Sequence, residues 1–406
     1  MEENSKFKRR GFVKRVAGIV GAIGLTNIPL VSDAEPKSNY NDAELEHKFL
    51  TKPYLQSPME GEVTVSFITN KPTHSWVEYG TDKNLGSKAE TTRLGLVEAN
   101  NRIYAITLKN LHAGKRYYYK VLSRDFQQYD PYKVIYGETI ATEIYDFIAP
   151  DVNKDGFSML ILNDIHDRPK SFAHLLNLNG NNPFDTVFLN GDMFNYQVDE
   201  KQIITNLINP CTEVFATKTP FMFIRGNHET RGKFARSLPD YFDNPYKEQY
   251  FTFSRGSAYF ICLDTGEDKV DNDKEYFGLA AFDDYRERQA VWLEDQLKSK
   301  AFKKAKYKVV LMHIPHYHSG EWHGTTHCRK LFGPLFNKYK IDLMICGHTH
   351  RHGMYAAKKG EHDYPMIIGG GPKEGTRTLI RLDVNSNKLS VKVLDDKGAD
   401  LYKLDI

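Results

Sequence analysis

Five short apolar runs, each closing on a residue able to bind a metal, constrain this chain more than any other feature. They read FSMLILND, DTVFLNGD, FMFIRGN, KVVLMHIP and IDLMICGH, spread between Phe157 and His348. Helical stretches lie between them, among them EKQIITNLINPCTEVF, RERQAVWLEDQLKS and CRKLFGPLFNKY. Strands alternating with amphipathic helices argue for an α/β domain, expected over residues 156–406. The hairpin-like YFTFSRGSAYFICLD and the strands after Thr376 make its sheets mixed. In such layered folds a site lies outside the carboxyl ends of the strands, where these polar residues stand.

Read in order, the strand ends offer Asp164 and His166, then Asp192, Asn227, His313, and finally His348 and His350. Eight of the chain's 15 histidines fall between His313 and His352. A core would have to hydrogen-bond every ring nitrogen of such a cluster, whereas neutral imidazole is the commonest metal ligand among side chains. Oxygen and imidazole donors without thiolates suit Zn, Mn or Fe in a hydrolytic site. Seven ligands are too many for one tetrahedral ion and enough for two if a carboxylate bridges them. Two ions about 3.5–4 Å apart can clamp an in-line displacement at phosphorus.

The chain has 406 residues, room for a second domain. From Glu62 to Thr69, EVTVSFIT alternates with the strand period of two, and HSWVEYGT and RIYAITLKNL follow. Leu111, Gly114, Tyr117 and Tyr119 then stand at the spacing of a tyrosine corner, which resembles the immunoglobulin-like and fibronectin type III sandwiches. Residues 48–148 are therefore expected to form an all-β sandwich, a spacer or wall beside the α/β domain. Residues 35–47 read as a linker. Residues 1–34 carry a basic cluster with Arg9-Arg10, an apolar run from Ala17 to Val31 and a small-x-small site at Ser32-Asp33-Ala34. They resemble a twin-arginine export signal, which implies a periplasmic or extracellular protein without a membrane span in the mature chain. A net charge of +3 speaks against general nucleic-acid binding. The four cysteines show no CxxC spacing; Cys262 and Cys346 read as small core residues, and spacing leaves any pairing open.

The order Asp-x-His, Gly-Asp, Gly-Asn-His-Glu, a lone His and Gly-His-x-His closely resembles the calcineurin-like metallophosphoesterases. With the sandwich, the likeness points to purple acid phosphatases and their non-purple relatives, and to a layered αββα arrangement. The resemblance implies that Asp164, His166 and His350 bind one divalent ion and Asn227, His313 and His348 the other, with Asp192 bridging. It implies a substrate-facing His228 and phosphate-contacting histidines in the loop after His313, where His316 and His323 are the candidates and solvated loop residues the alternative. His327 and His352 are expected to be structural. GGGP, Gly369 to Pro372, reads as a tight turn more than as an anion cradle. One departure stands out. Purple acid phosphatases place a metal-binding tyrosine three residues beyond the Gly-Asp aspartate and open on Asp-x-Gly. Here that position is Asn195, Tyr196 is one place late, and the first block holds His166, which is inferred to take the tyrosine's place. The ions implied are Mn, Fe or Zn, as a divalent pair.

The function expected is hydrolysis of small phosphomonoesters through in-line attack by a hydroxide held between the ions. A phosphodiesterase acting on nucleotides or lipid head groups would use the same ligands. A cell-surface binding protein with a relict catalytic domain would be expected to have lost ligands, and none of the seven is missing. The oligomeric state is open at this level.

Overall fold

The computed structural model describes residues 46–406, so the expected export signal and most of the linker lie outside the described residues. The strand Phe157–Leu162 pairs in parallel with Thr186–Asn190, and that strand with Phe221–Ile224. Leu379–Val384 joins the other edge of Phe157–Leu162 antiparallel. A second sheet runs Phe251–Arg255, Ala258–Leu263, Tyr307–Met312, Leu343–Cys346, Met366–Ile368 and Gly353–Tyr355. Its central pairings are parallel, and the flanking ones are antiparallel. The sheets are mixed, as the hairpin and C-terminal strands implied.

The apolar runs are continuous because both faces of each strand are covered. In Phe157–Leu162, Met159 and Ile161 face the second sheet across a core that also holds Phe188, Met222, Phe260, Val309, Leu311 and Ile345. Leu160 and Leu162 point the other way and pack with Phe172, Leu175 and Leu207 from the helical side. The second sheet repeats the pattern, with Val310, Met312 and Met344 packed on Leu293, Phe332 and Phe336 of the helices Phe282–Lys298 and His323–Tyr339. Four layers result: helix, sheet, sheet, helix. All four cysteines are buried and unpaired within them.

The N-terminal region is all β with its own core, which includes Val63, Val65, Phe67, Tyr104, Tyr117 and Tyr119. Its long strand Glu62–Gly80 pairs through its first half with Tyr54–Met59 and through its second half with Arg116–Asp130. The Tyr117 hydroxyl accepts the His112 N–H at 3.1 Å, the backbone tie anticipated from the Leu-x-x-Gly-x-x-Tyr spacing. This region is not a detached spacer. Gln56 stands in parallel register with Phe221, so its strands extend the first sheet of the α/β domain to 13 strands in all. Tyr54 is buried in the core of the α/β domain, stacked on Phe221, and donates its hydroxyl to the Tyr241 carbonyl at 2.9 Å. The Tyr119 hydroxyl donates to the Thr217 carbonyl at 2.8 Å. No helix among the described residues is long and apolar enough to cross a membrane.

The centre of the intersheet layer is aromatic. Phe260 stacks on Phe253 at 4.6 Å and meets Phe157 of the opposite sheet edge-on at 5.8 Å. Phe260→Ala should therefore cost about 3–5 kcal/mol in urea unfolding, and Phe260→Leu less than half of that. A loss below about 1 kcal/mol for the alanine variant would show that the two sheets are not close-packed there.

Candidate metal centre

Parallel pairing within each of the two sheets carries the carboxyl ends of its strands to one edge, and the expected ligands follow these ends within a few residues. Asp164 and Asp192 lie just beyond Leu162 and Asn190, Asn227 beyond Ile224, His313 beyond Met312, and His348 beyond Cys346. The chain must turn sharply to aim these side chains inward. Asp164, His166, Asp192, His348 and His350 all adopt positive φ, at 52°, 49°, 56°, 75° and 56°. Non-glycine residues rarely take that conformation, and where it persists the surrounding structure holds it. Glycines between the ligands make the approach possible. A methyl group at Gly347 would lie 2.6 Å from the Asp164 carboxylate, and one at Gly226 would collide with that of Asp192. In GGGP the glycines serve the same end, since side chains at Gly369 and Gly371 would run into Asn163 and His350.

Two groups of donors form. Asp164, His166, Asp192 and His350 offer ligand atoms within 4.8 Å of one another, as do Asp192, His313 and His348. Asp192 belongs to both. Asn227 joins the second group, its Oδ1 3.0 Å from His348 Nδ1. His313 Nδ1 donates to the Asn190 carbonyl at 2.8 Å, which leaves Nε2 facing Asp192 Oδ2, 3.0 Å away. That contact lacks hydrogen-bond geometry, so His313 Nε2 is a buried nitrogen without a hydrogen-bond partner, and Asp164 Oδ1 is a buried oxygen in the same position. His166 Nε2 faces His350 Nε2 at 2.9 Å. Lone pairs converging in this way, with no thiolate among them, fit divalent cations of the Mn, Fe or Zn kind.

Charge tells the same story. Burial alone would raise Asp164, but its contacts with His166 and His350 hold it well below the usual carboxylate range. Burial would lower His313, yet the adjacent Asp192 and then Asp164 push it up to about 10. Burial and the neighbouring His313 take His348 down to about 4. Two buried carboxylates thus draw positive charge to themselves, a demand that cations meet.

Several supporting residues escaped the sequence reading. The buried Glu229 carboxylate accepts backbone N–H groups of Asp192 at 2.8 Å, Met193 at 2.7 Å, Phe194 at 3.3 Å and Gly226 at 2.6 Å. It staples the Asp192 turn to the Asn227 turn. Its signal in the sequence was an acid ending Gly-Asn-His-Glu, to which no task was assigned. Asp167 does similar work one loop away, accepting the N–H and side-chain amide of Asn195 at 2.8 and 2.9 Å. Asn195 Oδ1 in turn lies 3.2 Å from His166 Nδ1. Tyr196 is about half exposed, its ring 6.1 Å from that of His228.

His228 sits beside both groups, its backbone N–H on Asp192 Oδ1 at 3.0 Å. Its Nδ1 lies 2.7 Å from the Asn195 carbonyl and must donate there, so Nε2 is left as an acceptor, 3.2 Å from Arg231 Nη1. The other two expected substrate contacts are placed elsewhere. His316 is fully buried, its Nε2 2.8 Å from the Tyr364 hydroxyl and its ring among Tyr317 and Phe336. Burial takes it down to about 3, which makes it a neutral core residue and not a rim contact. His323 opens the helix His323–Tyr339 and holds both Asp283 oxygens at 2.8 and 2.9 Å. With His327 it forms a third group around Asp283, outside the two groups that share Asp192. Arg286 Nε donates to His327 Nδ1 at 3.1 Å, and His352 Nδ1 lies 3.0 Å from the Tyr402 hydroxyl.

Residues 157–352 match the model of the calcineurin-like phosphoesterase family. This stretch, a little under half of the chain, is thus similar to calcineurin-like phosphoesterase domains. It is 25% identical to the purple acid phosphatase of Glycine max over 71% of this chain and 61% of that protein. It is 24% identical to purple acid phosphatase 18 of Arabidopsis thaliana over 77% of this chain and 69% of the relative. The chain thus spans about three fifths of the length of the soybean protein. Among solved structures, the purple acid phosphatase from yellow lupin (Lupinus luteus) seeds superposes with a TM-score of 0.65 at 17% identity, covering 87% of this chain and 73% of its own. PhoD superposes with a TM-score of 0.58 at 12% identity, covering 87% and 92%. At these identities the solved structures establish the α/β fold alone. The family match and the purple acid phosphatase relatives support a metal-dependent phosphoric ester hydrolase.

The glycine packing yields a test. Gly226 is not a ligand, yet a methyl there would press on the Asp192 carboxylate, on its amide nitrogen at 2.6 Å and on the His313 ring at 2.8 Å. Gly226→Ala should weaken metal binding on the order of tenfold or more, as changes behind a ligand do. Metal analysis after dialysis checks this, and full retention would show that the packing around Asp192 is slack.

Proposed function

We propose that this chain is an exported phosphoesterase that uses two divalent ions to hydrolyse small phosphomonoesters. The observation that carries the proposal is Asp192, a buried carboxylate common to two groups of donors that follow strand ends of both sheets. Asp164, His166 and His350 would hold one ion, Asn227, His313 and His348 the other, and Asp192 would bridge them. Ions bound there would supply Lewis acidity toward phosphoryl oxygens and bring water into its hydroxide range near neutral pH. The chain's own part is to orient and to stabilise charge. His228, tethered through Nδ1, turns Nε2 toward the side where a phosphoryl or leaving oxygen gains charge. Export rests on the twin-arginine-like segment. The Tyr117 tie supports a fibronectin III-like layout for the N-terminal strands, a wall fixed beside the site.

Metal-loaded protein should bind about two ions per chain. It should hydrolyse nitrophenyl phosphate faster than bis(nitrophenyl) phosphate; the reverse preference would replace the monoester reading with a diester one. A single ion in fully active protein would refute the binuclear assignment.

His228→Ala should keep near-normal metal content while kcat falls about 100–1000-fold, the usual consequence of losing a group at the developing charge, where His228 would donate as an imidazolium. Metal lost in proportion to activity would remove His228 from the reacting centre.

His166 reaches the site where a tyrosinate would otherwise be expected, and Tyr196 faces His228 from a half-exposed position. An iron-loaded sample should therefore lack a strong visible tyrosinate band. A purple sample that bleaches in Tyr196→Phe would overturn this ligand set.

A further inference from the structure

Three residues past His228 the chain places a buried cation against the same ring. Arg231 follows the turn His228–Thr230, and Gly232, at φ +95°, bends the backbone where a side chain would run into Gln197. The Arg231 carbonyl accepts the Gln197 N–H at 2.8 Å, so the backbone is fixed on both sides of the bend. The guanidinium is clamped along one edge. Nε and Nη2 donate to the two Glu267 oxygens at 2.7 and 2.6 Å, and Nη2 also reaches Asp268 Oδ1 at 3.3 Å. Glu267 is held in turn by the Tyr276 hydroxyl at 2.6 Å, and Asp268 Oδ2 lies 3.8 Å from His348 Nε2. The clamp therefore stands between His228 and a ligand of the second group.

The other edge is not spent in this way. Arg231 Nη1 lies 3.2 Å from His228 Nε2. Because His228 Nδ1 must donate to Asn195, Nε2 is the acceptor and Arg231 the donor. A guanidinium has five N–H groups, and four are now accounted for. The fifth, also on Nη1, meets no acceptor among the described residues. An ion pair serving only to anchor Glu267 has no need to turn this edge toward the ring atom that faces the reacting group.

We infer that Arg231 is a second substrate-binding residue, whose Nη1 edge takes a non-bridging phosphoryl oxygen alongside His228. The inference rests on the phosphoesterase reading of the site. It narrows the substrate class as well. A phosphomonoester presents three terminal oxygens and up to two charges, a diester two oxygens and one charge, so each donor added here favours the monoester. A planar fork already locked by Glu267 loses little freedom in binding such a group.

The test is the affinity of metal-loaded, full-length protein for inorganic phosphate, read by calorimetry with metal content measured on the same samples. Arg231→Gln should weaken phosphate binding about tenfold to a hundredfold at wild-type metal content, as expected for a hydrogen bond to a charged group. Arg231→Lys, which keeps the charge and the pairing to Glu267 but loses the fork, should fall in between. Phosphate affinity within about twofold of wild type in these variants at full metal content would overturn the assignment. Should Arg231→Gln fail to fold, Arg231→Lys decides alone. Wild-type affinity would refute the proposal, and weaker binding with unchanged metal content and Tm would support it. Wild-type protein that binds phosphate but cleaves no phosphoester would sink the function proposed above, and the phosphate comparison would still judge Arg231.

Discussion

Asp164 and Asp192 leave neighbouring parallel strands and enter the interior side by side, each about 1% exposed. Buried carboxylates this close cannot remain ionised unless positive charge and hydrogen bonds replace the lost water. The imidazoles of His166, His313, His348 and His350 converge on them, yet one buried ring nitrogen, His313 Nε2, meets no hydrogen-bond partner. Cations between the two sets resolve both problems. The order of strands, the glycines at their ends and the left-handed turns can all be read as means of keeping this otherwise unfavourable group of side chains in place.

The strain is local and its support is distant. Five ligand-type residues hold positive φ because strands buried on both faces leave the following turns no freedom to relax. Glu229 adds a fixed acceptor to which four N–H groups of two turns are bound. Burial and the nearby Asp192 raise its carboxyl toward about 7, while the N–H groups draw it the other way. The N-terminal strands contribute to this rigidity. Tyr54 belongs to the core of the α/β domain and Tyr119 is bonded to Thr217, so these strands are continuous with the sheet that carries Asp164 and Asp192.

Much of the centre was legible because its logic is local. An apolar run that ends in Asp, Asn or His places that residue at a strand terminus, and parallel pairing takes such termini within each sheet to one edge. Departures arose where side chains meet across long separations. His316 and His323 have the chemistry of rim residues and lie in the expected loop, but Tyr364 claims the first and Asp283 the second. Glu229 and Arg231 looked like ordinary charges after a ligand block. Their tasks depend on backbone N–H groups about 36 residues away and on Glu267 at the same separation.

The sequence by itself determined which donor types the site holds, their order along the chain and the strand ends from which they project, because a strand's period and its terminating residues are properties of neighbouring positions. Tertiary structure decided which lone pairs converge, that Asp192 is common to two groups, that His316 is core, and that a guanidinium faces His228. Those outcomes depend on how sheets and helices pack, and packing sets distances between residues that no local pattern relates.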